Sequence, residues 1–171
     1  MPRVFNIAAA CLMAAACTCS ASDDWVVRSD GIGPINVGMR PADVKAALHL
    51  SYSNSMTKDS DQQACFYLDL PDHSGVDLMI LNGRVARVDI DNRNTQTVEG
   101  IHNGDSEAHA LSVYGKRMKV TPHAYTGPEG HYLTVRSADG KYGIRFETER
   151  GKIVRYYAGR VEAISYIEGC E

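Results

Sequence analysis

Residues 75–88 align without a gap on residues 143–156, an internal repeat that restricts the chain to architectures built from two like units. Each copy reads glycine, an alternating strand, a turn containing glycine, a basic residue and a second alternating strand. Asn82-Gly83 is a strong two-residue hairpin signal, because both turn positions need positive φ, and Arg150-Gly151 is a weaker form of it. Upstream, Ile35-Asn36-Val37-Gly38-Met39 and the residues to Val44 match Ile101-His102-Asn103-Gly104-Asp105 and the residues to Ala110 at nearly the same offset. Each segment opens a helix. Pro41 suits a first helical turn, Ser106 is a good N-cap with Glu107 in the first turn, and Gly115 stops the second helix. The spacing predicts helices over 41–48 and 106–114, and a further strand in each half over 65–70 and 132–137.

Alternation assigns faces. Phe66, Leu68, Leu70, Val76, Leu78, Ile80, Ala86, Val88 and Ile90 share one parity, as do Leu133, Val135, Ile144, Phe146, Val154 and Tyr156. These sets are expected to pack beneath Val44, Ala47, Leu48, Ala110, Val113 and Tyr114 of the helices. The predicted class is α+β: two tandem helix-plus-three-strand repeats forming an antiparallel sheet, with helices on one face and the other face open. The halves run over 22–92 and 93–171 as one compact unit. The polar stretches 51–63, 91–100 and 121–130 are expected to be loops, and 163–167 a last strand.

Residues 1–21 read as a secretory signal peptide, with Arg3 the only charge, an apolar run from Ile7 to Ala16 and small residues after it. The run falls short of the roughly 20 apolar residues a spanning helix needs. Cleavage after Ala21 would leave Cys65 and Cys170, an even pair in an oxidising compartment, and so a periplasmic or secreted protein. Cleavage before Cys17 would instead lipidate that residue, make an outer-membrane lipoprotein and strand Cys19 as a free thiol. A Cys65–Cys170 disulfide would close a loop of about 100 residues and contribute up to roughly 4–5 kcal/mol; a metal site or a nucleophile is the alternative use of two cysteines, without the spacing either usually shows. The formal charge of −3 becomes −4 once Arg3 is removed with the leader, which argues against a nucleic-acid partner. No Lys/Arg run is dense enough for an anionic membrane, so membrane attachment is expected only through Cys17.

Two copies of this Ile-x-x-Gly-Met/Asp, helix, three-strand unit resemble the tandem-repeat β-lactamase inhibitor protein family. They are also similar to the related small lipoprotein of the outer-membrane β-barrel assembly machinery. Ile35, Gly38, Met39 and Val44 carry the likeness in the first unit, and Ile101, Gly104 and Asp105 in the second. Arg40 stands where the family usually has a capping Ser or Thr, and Asp105 replaces the second Met. The resemblance implies a curved sheet whose bare face docks another protein.

The outward parity set supplies that face: Tyr67, Met79, Arg87, Tyr132, Arg136, Arg145, Arg155 and Tyr157. Tyr and Arg combine large contact area with a polar handle, and so are over-represented at binding hot spots. A plain solvated sheet face would carry similar residues. The six histidines show no zinc-site spacing, and the acidic stretch at Asp89, Asp91 and Glu99 has Arg93 where a calcium ligand belongs, so neither metal nor cofactor is expected. No nucleophile elbow, HExxH run or phosphate loop is present in the sequence. The expected function is a non-enzymatic, exported protein-binding module that inhibits or neutralises an envelope hydrolase or toxin. Its rivals are a structural lipoprotein of envelope assembly and an envelope hydrolase using Asp69 with Glu147.

Overall fold

A computed structural model describes residues 25–50 and 64–170. The signal-peptide reading, Cys17 and the loop at 51–63 lie outside those residues. The class expectation is corrected: the protein is mostly β, with 46% strand and 16% helix, not α+β. A three-stranded sheet is formed by β1 (Val27–Arg28), β2 (Gly31–Ile32) and β3 (Ile35–Asn36), followed by helix α1 (Pro41–Ala47). Then come β4 (Cys65–Asp69), β5 (Val76–Leu81), β6 (Arg84–Ile90), helix α2 (Glu107–Tyr114), β7 (Met118–His123), β8 (Gly127–Arg136), β9 (Tyr142–Glu149) and β10 (Lys152–Arg160). The seven long strands form one antiparallel sheet in the order β4-β5-β6-β10-β9-β8-β7.

The two units are not equal. The second carries an extra strand, β7, across residues expected to be partly loop, and residues 163–165 form a 3₁₀ turn where a strand was expected. Local features nevertheless recur at matching positions. The hairpin turns at Asn82-Gly83 and Arg150-Gly151 have φ values of 50° and 72°, and of 49° and 73°. Gly38 and Gly104 adopt φ of 96° and 97°, and their N–H groups donate to the carbonyls of Val85 and Ile153 at 2.7 and 2.8 Å. Beyond these glycines Arg40 and Ser106 cap the helices. The Ser106 hydroxyl accepts from the His109 N–H, whereas the Arg40 N–H and guanidinium both donate to Asp43. Arg40 has no side-chain acceptor for the free N–H groups of the first turn, so only the reciprocal half of a capping box forms, with Asp43 accepting from the Arg40 N–H.

Register builds the core. The row Met118, Val135, Ile144, Ala158, Val88, Leu78, Leu68 crosses all seven strands on one face. The next, Val120, Leu133, Phe146, Tyr156, Ile90, Val76, crosses six. Val44, Ala110 and Tyr114 of the helices close over this face with Val27, Ile32 and Ile35 of the small sheet, and all are buried. The connector after β6, expected to be a polar loop, is pinned into that layer. Thr95, Thr97 and Asn103 are buried; the Tyr156 hydroxyl donates to the Thr95 carbonyl at 2.9 Å, and the Asn103 amide donates to the Ile90 and Asn92 carbonyls at 2.9 Å.

Two β-bulges break the simple alternation, in β6 between Val85 and Arg87 and in β10 between Ile153 and Arg155. Their extra residues, Ala86 and Val154, occupy matching places in the repeat. A bulged residue takes no partner of its own, so the parity of the strand slips by one. Both were expected to face the helices. Ala86 instead lies on the opposite face, and Val154 is 47% exposed while Ile153 fills the core.

Candidate interaction face

The face turned away from the helices is not bare, which overturns the open-sheet expectation. Residues 161–170, here called the strap, run across it. Ala163 packs with Met79 and Ala86 in a small apolar cluster bordered by Cys65, Leu81, Tyr166 and Cys170. A Cβ on Gly143 would meet Ile164 Cδ1 at 2.9 Å, so the glycine lets the strap lie against the sheet. The strap ends in a disulfide between Cys170 and Cys65, whose Cα atoms are 5.3 Å apart. The metal and nucleophile alternatives for these cysteines are thereby removed.

The eight residues expected to line this face divide by the strap. Met79, Arg87, Tyr132 and Tyr157 are buried, with exposures of 5% or less, so their side chains are structural. Arg145 is half-buried, its guanidinium 4.9 Å from the centre of the Tyr132 ring, with its Nη1 donating to the Ser165 carbonyl at 3.5 Å. Tyr67, Arg136 and Arg155 remain exposed.

Arg87 is the hub beneath the strap. Its Nε and Nη2 donate to Asp89 at 2.6 and 2.7 Å, Nη2 also to the Tyr67 hydroxyl at 2.8 Å, and Nη1 to the Ala163 carbonyl at 3.0 Å. The guanidinium also lies 4.4 Å from the centre of the Tyr157 ring. Burial pushes the Asp89 carboxyl up, while the guanidinium holds it down. Farther along, the Tyr157 hydroxyl donates to Glu147 Oε1 at 2.8 Å, and His123 stacks on Tyr132 with Nε2 3.5 Å from Glu147 Oε2. A cavity of about 80 Å³ lies between this network and Tyr166, Ile167 and Gly169 of the strap. That space suits water or the tip of one side chain; sites for small-molecule ligands usually exceed about 300 Å³.

One ladder row on this face reads Asp69, Asp77, Asp89, Tyr157, Arg145, Thr134, Lys119. Like charges directly opposite one another destabilise a sheet. Burial and the neighbouring Asp69, Asp91 and Asp89 accordingly push Asp77 up to about 6. With its folded value above its unfolded one, this carboxyl is neutral in both states below about pH 4, and the folded state loses stability as pH rises through about 6. Asp77→Asn is therefore expected to match the wild type near pH 4 and to exceed it by about 1 kcal/mol near pH 8, after discounting for solvent screening. Urea unfolding at the two pH values measures the difference. A variant equally or less stable at the higher value would contradict the crowding.

Asp69 and Glu147, the hydrolase pair weighed from sequence, lie on β4 and β9 with three strands between them. At about 4.8 Å per strand they are roughly 19 Å apart in the sheet, against the roughly 5–9.5 Å that glycoside hydrolysis needs. Among the described residues no group of three or more His, Cys, Asp or Glu is placed to hold a metal ion.

Sequence reasoning placed Tyr67 on this face but missed the other exposed apolar residues of its rim, Tyr125, Val154 and Ile167. Tyr125 (65%), Val154 (47%), Ile167 (52%) and Tyr67 (39%) are four of the six exposed large hydrophobics, and they belong to the strap side of the sheet or to the strap itself. Tyr125, at the tip of the β7–β8 hairpin, is hydrogen-bonded through its hydroxyl to Glu168. Only the unexplained apolar residues at the loop and tail, Tyr125 and Ile167, could have signalled this rim. Comparison with protein-family models, with curated proteins and with solved structures found no match, so the family resemblance stands on its sequence motifs alone.

Proposed function

We propose that this is an exported protein-binding module that inhibits or neutralises another protein, an envelope hydrolase or a toxin, through the strap side of its sheet. The supporting observation is that Tyr67, Tyr125, Val154 and Ile167, four of the six exposed large hydrophobics among the described residues, belong to the strap side of the sheet or to the strap, where Arg155 is also exposed. Exposed apolar area rimmed by polar side chains marks contact surfaces, and Tyr and Arg supply the hot spots. The buried Tyr132 and Tyr157 leave the contact set and serve as its foundation.

The test is capture from an envelope extract by the intact protein and by the Tyr125→Ala/Val154→Ala/Ile167→Ala variant. Val154 and Ile167 are exposed, so truncating each should cost no more than about 0.5 kcal/mol, whereas Tyr125→Ala also removes the bond to Glu168. The expected result is a partner retained by the wild type and lost by the variant. Equal retention by both proteins would remove this surface from the proposal. Mass spectrometry of the mature N-terminus tests the export reading, with Ser22 first expected for the soluble form and a lipidated Cys17 for the lipoprotein.

A further inference from the structure

We infer that the Cys65–Cys170 disulfide is a redox latch: reduction frees the distal strap, residues 166–170, and opens the cavity above Arg87, Asp89 and Tyr157 while the sheet stays folded. The two ends of the strap are held by different means. At its start Ala163 and Ile164 are buried to 1% and 0%, and the Ala163 carbonyl is bonded by Arg87. Beyond Tyr166, the side chains of Ile167 and Glu168 and the backbone of Gly169 are exposed. Among the described residues the distal piece is held by a backbone bond from the Tyr166 N–H to the Ala163 carbonyl at 3.3 Å, by Glu168 bonded to Tyr125, by the packing of Tyr166 and Cys170 beside Met79 and Ala86, and by the disulfide. Its exposed backbone and few buried groups place it among segments that open locally at far less cost than global unfolding.

The floor it covers is held by the sheet and by the proximal strap at Ala163. Arg87, Asp89, Tyr157 and Glu147 bond to one another across β6, β10 and β9, the interior of the large sheet. Unlatching would present this preformed polar floor, with the Tyr67 ring no longer beneath Gly169, whose added Cβ would lie 2.4 Å from the Tyr67 hydroxyl oxygen. The reaction is thiol–disulfide exchange with an external dithiol. One reductant thiolate attacks a sulfur of the pair and the second displaces the mixed disulfide, so the protein gains two thiols and the reductant becomes a disulfide.

The experiment is hydrogen exchange on the full chain, oxidised, treated with dithiothreitol, and as the Cys65→Ser/Cys170→Ser variant without reductant. The latch predicts roughly tenfold or faster exchange at the Tyr166 amide, which is hydrogen-bonded in the oxidised protein, both in the reduced protein and in the variant, reversed on reoxidation, with the amides of Val88 and Tyr156 still protected. Unchanged exchange in the distal strap would show that contacts alone hold it. Simultaneous loss of protection at Val88 and Tyr156 would show global unfolding, and either result overturns the latch. Neither bears on whether the rim around Tyr125 and Val154 captures a partner, which the triple-alanine variant tests separately.

Discussion

The Cys65→Ser/Cys170→Ser variant is expected to be less stable than the oxidised protein by about 2–4 kcal/mol. The bond closes a loop of 105 residues, nearly all of the described sheet. Cross-linking so long a loop removes denatured-state entropy worth up to roughly 4.7 kcal/mol, and measured gains usually fall below that limit. Breaking it also lets the denatured chain expand, so the urea m-value should rise along with the fall in midpoint. This separates the loss from one confined to the folded state, which would move the midpoint at constant m. A loss below about 0.5 kcal/mol would mean that denatured-state constraint contributes little here.

Arg87→Ala is expected to cost about 3–5 kcal/mol, the largest effect of any single charged side chain described. The change leaves Asp89 largely buried without its bidentate partner, removes the donor to the Ala163 carbonyl and withdraws the cation from the Tyr157 ring. Most of that cost is the stranded carboxylate, not a net gain from the pair. Arg87→Met/Asp89→Asn should therefore recover a substantial part of it, because Met matches the aliphatic stem and no buried charge is orphaned. Equilibrium unfolding of Arg87→Met, Asp89→Asn and the double variant forms the cycle. Strictly additive losses would show that Arg87 acts through the strap and not through Asp89.

The parts of the fold legible in the sequence were those set by local rules. Asn82-Gly83 and Arg150-Gly151 turn where positive φ is demanded, Ser106 and Gly115 bound α2, and Pro41 opens α1. The errors came from non-local facts. The bulges at Ala86 and Val154 add one residue to a strand without leaving a mark on its composition, so parity placed both on the wrong face. β7 runs on through residues 121–123, where Pro122 suits an edge strand but reads as loop. The tail was legible as far as Cys170 reaching Cys65. Its course over Met79, Arg87 and Tyr157 was not, because nothing in a strand's alternation says whether its polar side meets water or chain. The interaction face inherited that error: half of the residues assigned to it support the surface from below.

The middle of the large sheet has a further implication. Asp89 and Tyr157 are corresponding residues of the two halves and stand directly opposite each other, with Val88 facing Ala158 and Ile90 facing Tyr156. The β6–β10 ladder is therefore an isologous contact, the geometry by which two identical subunits would associate through a twofold axis. A solitary half would end in β6 as an open, self-complementary edge, apolar at Val88 and Ile90, and prone to recruit a second molecule. Joining the halves in one chain satisfies that edge at the high effective concentration of a tethered neighbour, which outcompetes self-association in solution.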